Sequence, residues 1–310
     1  MIMTIDKFHE IENKVIGIIT DSFEKAINIS ISDFILLVAR GGYHKHLDKP
    51  EIDLTPFVIE DRRDFLIDLT RRKFFVKYIN DFVSRLQKKI SMSDDEKEFD
   101  TNIQLMIYTH IWESHLFLNQ LVRLAKIQLG MGYDWKAKLV CPKKEVHHKK
   151  SNLSHVKKGP YIENSIINRF EKSDYNMAQL IKFCYLKDLR DDFAHSSYYI
   201  DNNMILSNGN ELFCGPFITI DEWEDKFVSS MLLSYHLNDM LLEYKNQFID
   251  TFGDNPIEIQ LPLKKNQNKK VWVFIKPERI EGKEEKVRFR FVKKDEIEDP
   301  FSSYDSRFMW

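Results

Sequence analysis

A mainly α-helical fold, a helical bundle with small β elements toward its C-terminal end, is predicted by three features of this sequence. Punctuating residues are scarce, with only 10 Gly and 9 Pro in 310 residues, against a usual combined share of about 12%. Apolar residues recur at helical spacing over several long stretches. The last 55 or so residues change period, because Val287, Phe289 and Phe291 alternate with Arg288 and Arg290, the pattern of a half-buried strand.

Residues 1–95 read as a helical N-terminal region. Phe75, Ile79, Phe82 and Leu86 keep helical spacing, while "ARGGYHKHLDKPEIDLTP" at 39–56 reads as a loop because of its Gly pair and prolines. The polar run "SMSDDEKEFD" at 91–100 marks a boundary. A domain over 96–252 follows. Its first helix spans about 102–129, with Ile107, Ile111, Ser114, Leu118, Leu121 and Ala125 stepping by four and three, a seam for another helix. Gly130 suits a C-cap. A second helix is expected over 162–185. A third opens after Gly215-Pro216, where Thr219 and Glu222 form a capping box. Residues 253–310 read as a small β-containing region, with two strands around a turn in "KVWVFIKPERIEGKEEKVRFRFV".

A net charge of -2 excludes a globally basic nucleic-acid binder, so any such contact needs a local patch. Three scattered cysteines without a CxxC fit a reducing compartment. The opening "MIMTIDKFHE" has no signal-peptide pattern, and the longest apolar run, "FILLVA", is too short for a membrane. A cytoplasmic protein with no membrane partner is the expectation. P-loop, GxGxxG and GxSxG motifs are absent, and no cofactor is expected.

The stretch "DLRDDFAHSSYYIDNN" at 188–203 carries the chemistry. Arg190 and His195 are separated by four residues, and Arg40 and His46 show a similar spacing in "RGGYHKH", so spacing alone decides nothing. Helix phase adds more. Met177, Leu180, Ile181 and Cys184 share one face, whereas Leu186, Leu189 and Phe193 share another roughly 160° away at 100° per residue. A straight helix cannot hold both against one core. A break near 185–187 and a separate short helix carrying Leu189 to His195 are therefore predicted, with Leu189 and Phe193 buried. Asp191 and His195, at i and i+4, can pair. Arg190 and His195 lie about 140° apart on that helix and do not face each other. The turn residues Asp201-Asn202-Asn203 and Asn208-Gly209 then predict a hairpin.

This arrangement, with "LRDDFAH" on a short helix, a hairpin after it, and the helix "IWESHLFLNQLVRL" earlier, resembles the HEPN superfamily of helical RNases over roughly residues 102–250. The resemblance implies a metal-independent endoribonuclease of the Arg-x4-His type. Arg190, Asp191 and His195 would be catalytic, Glu113 and Tyr198 supporting, and the product a 2′,3′-cyclic phosphate. It also implies a homodimer with a composite site, RNA as substrate, and a toxin or antiviral defence role with an antitoxin or defence-system partner protein. The family's tyrosine two residues after the histidine is replaced here by Ser197, with Tyr198 next to it. The alternative is a non-catalytic binding or scaffold module of the same fold, or a regulatory partner subunit. The loop 141–160 holds Lys143, Lys144, Lys149, Lys150, Lys157 and Lys158 with one acid and is the candidate RNA contact. Its Cys141, His147, His148 and His155 match no familiar zinc spacing, so no metal is expected.

Overall fold

The computed structural model describes residues 3–44, 57–60, 62–90, 92–136, 158–201, 203–207, 217–253, 255–262, 270–279 and 287–292. It is mainly helical with small antiparallel sheets. The chain forms two compact units, each drawn from segments far apart in sequence. The first comprises Met1–Ser22, Thr70–Ala125 and Lys138–Leu237, and the second Phe23–Leu69, Lys126–Ala137 and Asn238–Trp310.

The elements run α1 (Ile5–Ile29), α2 (Ile31–Ala39), β1 (Gly42–Tyr43), β2 (Phe57–Val58), α3 (Arg62–Gln87), α4 (Asp94–Glu113) and α5 (His115–Gln128). Beyond the loop come α6 (Lys158–Tyr161), a π-helical segment Ile162–Ile167, α7 (Asn168–Ser173), α8 (Tyr175–Cys184) and α9 (Lys187–Ala194). The strands β3 (Tyr198–Asp201), β4 (Met204–Ser207) and β5 (Phe217–Thr219) precede the long α10 (Ile220–Phe252). β6 (Ile257–Pro262), β7 (Lys270–Arg279) and β8 (Val287–Phe291) close the chain's described part.

Two expected helices are divided. The stretch expected at 102–129 begins earlier and breaks once. It starts at Asp94 because Ser93 and Glu96 form a reciprocal capping box and Asp94, Asp95 and Glu96 meet the helix N-terminus, so the polar run at 91–100 is a helix start. It breaks at Ser114, whose backbone is extended and whose hydroxyl accepts from the Phe117 N–H at 3.3 Å. The apolar seam crosses that break, with Ile111, Leu118, Leu121 and Ala125 all buried. Gly130 ends α5 as expected: at φ +67 its N–H bonds Ile127, and the Met131 N–H bonds Lys126, a Schellman closure. The stretch expected at 162–185 contains the π-helical segment and breaks at Asp174, which ends α7 and caps α8 through its side chain.

In the first unit the core is aromatic. The Trp112, Trp223, Tyr108, Phe117, Phe170 and Phe227 side chains are fully buried, and the rings of Tyr108 and Trp223 meet at 5.0 Å. In the second unit Phe23, Phe34 and Tyr244 interlock edge to face at 5.2–5.6 Å. Beneath them β6, β7 and β8 form one antiparallel sheet in that order. Strands β7 and β8 match the two read from the sequence. β6 adds a third, whose Ile257, Ile259 and Leu261 face inward in alternation.

Candidate functional site

The break between α8 and α9 lies where the two apolar stripes demanded it, at Tyr185 and Leu186. Met177, Leu180, Ile181 and Cys184 are buried on one side of it, and Leu189 on the other. Phe193 is only half-buried and its ring lies tilted against that of Tyr198, 5.1 Å between centres, which corrects the expectation of burial between helices. The last turn of a short helix reaches past its neighbours, and its aromatic ring is covered by the hairpin instead.

A break leaves backbone groups without helical partners. Tyr108 meets them: its hydroxyl donates to the Cys184 carbonyl at 3.0 Å and accepts from the Leu186 N–H at 2.6 Å. Burial, opposed only in part by that N–H, pushes the Tyr108 hydroxyl far above its usual pKa. Ser230 donates to the same carbonyl at 3.4 Å and accepts from the Trp112 indole. A Tyr108→Phe protein takes the hydroxyl from the Leu186 N–H and leaves the Cys184 carbonyl with the longer Ser230 bond alone. Its unfolding free energy should fall by about 1–3 kcal/mol in denaturant titration, and hydrogen exchange at Leu186 should accelerate. An unchanged midpoint would contradict this clamp.

Packing of α9 on α4 sets the next layer. Arg190 reaches across 77 residues of sequence and bonds the Glu113 carboxylate at the end of α4. It also holds Asp191 at 2.7 Å, and its own side chain is 11% exposed. Beside it, Tyr185 is pushed up to about 12, mainly by burial and against the lowering charge of Arg190. The expected Asp191–His195 side-chain pair does not form, because the Asp191 carboxylate turns to Arg190. The i,i+4 link between Asp191 and His195 is a backbone bond, His195 N–H to Asp191 carbonyl, at 3.0 Å.

His195 is the C-cap of α9 and its side chain is exposed. The closure is again of the Schellman kind. Ser196 sits at φ 55 and bonds Phe193, while the Ser197 N–H bonds Asp192 at 2.8 Å. The hairpin follows, with Asp201 opposite Met204 across a two-residue turn. Asn203 at φ 59 supplies the left-handed residue that turn needs. Tyr198 opens β3, and its hydroxyl bonds Asn102 on α4. Burial and then Glu98 raise its pKa.

The structure therefore brings Arg190, Asp191 and Glu113 into one cluster. His195 stands at the same helix's end, and Tyr198 is directed to Asn102. Among the described residues no bond joins the Arg190 and His195 side chains. Lys143, Lys144, Lys149, Lys150 and Lys157 lie outside the described residues, and Lys158 begins α6. The other spacing match is accounted for by packing: Arg40 forms a buried ion pair with Asp68 at 2.8 Å, and His46 lies outside the described residues. Sequence reading missed Tyr108, since a buried tyrosine with a paired hydroxyl looks like any core aromatic. It also missed a cavity of about 360 Å³ between the start of α9, β5 and α10, lined by Tyr185, Lys187, Leu189, Ile218, Glu222 and Lys226. Among the described residues no cluster of His, Cys, Asp and Glu is suited to a metal ion, and no helix is long and apolar enough to cross a membrane.

One further titratable group stands near this cluster. His110, a turn before Glu113, is held below its ordinary 6.5 by burial and then by the Arg71 charge. The unfolded chain thus binds this proton more readily. Its contribution to stability is full above about 6.5 and is lost as pH falls through the lowered folded value. Denaturant midpoints at pH 8 and pH 5 should differ less in His110→Asn than in the parent protein, and an identical difference would refute the assignment.

No protein-family model, curated protein or solved structure matches this chain.

Proposed function

We propose that this protein is a metal-independent endoribonuclease of the HEPN type, acting as a dimer on RNA. One observation supports the reading most. The two stretches that carry the resemblance, "IWE" and "LRDDFAH", lie far apart in sequence and meet through the Arg190–Glu113 bond. The exposed His195 next to them supplies an imidazole, the side chain most often used as a general acid or base.

The chemistry follows from these groups. His195 takes the proton of the RNA 2′-hydroxyl, the resulting oxygen attacks the adjacent phosphorus, and the phosphorane's negative charge meets the planar guanidinium of Arg190. The 5′-oxygen leaves with the proton returned by the imidazole, which ends the step neutral, and the other product is a 2′,3′-cyclic phosphate. Because Arg190 and His195 do not face each other on one helix, a second copy related by a two-fold axis supplies the complementary group. A toxin or antiviral effector role, held in check by a partner protein, is the cellular extension of this reading.

A second reading has its own observation. Arg190 is already neutralised by Glu113 and Asp191, as suits a purely structural cation in a non-catalytic binding module. Arg190→Ala and His195→Ala separate the two. In the nuclease reading either change removes RNA cleavage. If RNA is cut equally by both variants and the parent, or by none of the three, the module reading stands and the enzyme reading fails.

A further inference from the structure

The outer face of α4 is apolar where a solvated helix face is normally polar. Phe99 is 70% exposed and Met106 59%. At 100° per residue the two lie within about 20° of each other around the helix, two turns and about 10 Å apart. Ile103 is half-buried beside them, and His110 is exposed one turn further on. Tyr108, Ile111 and Trp112 on the opposite side of α4 are buried in the core. Two elements frame the stripe. On one flank Asn102 holds Tyr198 and Glu113 holds Arg190, so the β3–β4 hairpin and α9 lie there. On the other flank Asp100 holds Arg85 and Ser114 accepts from Arg71, so α3 lies there. Phe99 and Met106 stand on the open ridge between them, and a clustered apolar surface of this kind marks an interaction site.

Charge selects the occupant. The first turn of α4 is acidic, with Asp94, Asp95 and Glu96, and the basic group of its last turn is His110. The face is therefore complementary to a second copy of itself running antiparallel. A two-fold axis passing between Asn102 and Ile103 sets Phe99 against the partner's Met106 and Met106 against the partner's Phe99. Asp95 then comes level with the partner's His110. Contact of a thioether with a ring is favourable, and an isologous interface makes each contact twice. A parallel pair would place acidic end beside acidic end.

The site itself adds a second argument. In an antiparallel pair the two-fold axis lies in the plane of the interface, at right angles to both helices. An element on one flank of α4 stays on that flank after the rotation. Both α9 helices, each with its Arg190 and His195, then stand on the same side of the pair. In a parallel pair they would stand on opposite sides.

We infer that the Phe99–Met106 face of α4 is the surface through which two copies of this chain pair, antiparallel, and that this pairing assembles the composite site. The second part rests on the nuclease reading; the pairing does not.

Sedimentation and crosslinking test the pairing. The parent protein should be a dimer at micromolar concentration. Phe99→Asp/Met106→Asp should be a monomer of unchanged helical content, since both side chains are exposed. Phe99→Ala/Met106→Ala, which adds no charge, should raise the dimer Kd roughly tenfold or more. In a Cys141→Ser/Cys214→Ser background, where the remaining Cys184 is buried, a short bis-maleimide should join Phe99→Cys protein to Met106→Cys protein faster than either to itself. The inference is overturned by a monomeric parent, which would leave the face to a different protein, by a dimer indifferent to both double variants, or by crosslinks that form faster between like positions. The two proposals fail separately. A dimer crosslinked in this register without RNA cleavage sinks only the nuclease reading, and full cleavage by a monomeric Phe99→Asp/Met106→Asp protein sinks only this one.

Discussion

His195→Ala should lower RNA cleavage by roughly 10²–10⁴-fold, the range contributed by a positioned general acid or base, while leaving the unfolding midpoint nearly unchanged. The contrast follows from position. His195 is an exposed C-cap whose side chain bonds nothing among the described residues, and its backbone bond to Asp191 survives the substitution. Arg190→Ala should be equally inactive but also less stable, because the Arg190–Glu113 and Arg190–Asp191 ion pairs are lost. If the site is shared between two copies, mixing the two inactive proteins should restore part of the activity, since one of the two composite sites can draw an intact Arg190 and an intact His195 from different protomers. A mixture as inactive as its components would rule out the shared site and leave catalysis within one chain to be judged separately.

The largest effect on stability belongs to Trp112. It is fully buried, one residue before Glu113, and touches Phe117 at 5.6 Å and Tyr185 at 5.0 Å between ring centres. Trp112→Ala should cost about 3–5 kcal/mol, measured by denaturant unfolding. The loss also removes the support under Glu113 and under the start of α9, so activity should fall even under conditions where the variant remains folded. A cost under 1 kcal/mol would mean that the cavity collapses and that this core does not position the site.

Much of the fold could be read from side-chain periodicity. The break before α9 was legible because Met177–Cys184 and Leu186–Phe193 point to opposite sides, and only a break lets Leu189 be buried along with the first stripe. The hairpin was legible in Asp201-Asn202-Asn203, and the start of α10 in Thr219 and Glu222, whose reciprocal bonds measure 3.3 Å each. The break at Ser114 was hidden because the four-three seam runs through it unchanged. Only the local bond from Phe117 to the Ser114 hydroxyl, with Arg71 donating to the same oxygen, marks it, and such bonds leave no period. β6 was overlooked although Ile257, Ile259 and Leu261 alternate, because the strand is short and ends in a proline.

The candidate site was legible in part. Arg190 and His195 were identifiable by residue type and phase, and Glu113 by its place in "IWE". What sequence could not supply was the choice made by Asp191. Arg190 and His195 both lie within reach of that carboxylate, and the permanently charged guanidinium of Arg190 takes it at 2.7 Å. Nor did any period reveal that the Tyr108 hydroxyl closes the gap between α8 and α9, or that Tyr198 would bond Asn102.

The most direct measurement is the chemistry of the cut ends. Purified protein incubated with total RNA in EDTA should cleave it and leave 2′,3′-cyclic phosphate and 5′-hydroxyl termini, with none produced by His195→Ala. RNA left intact in EDTA but cut once a divalent ion is restored, or cut equally by His195→Ala, would contradict the account.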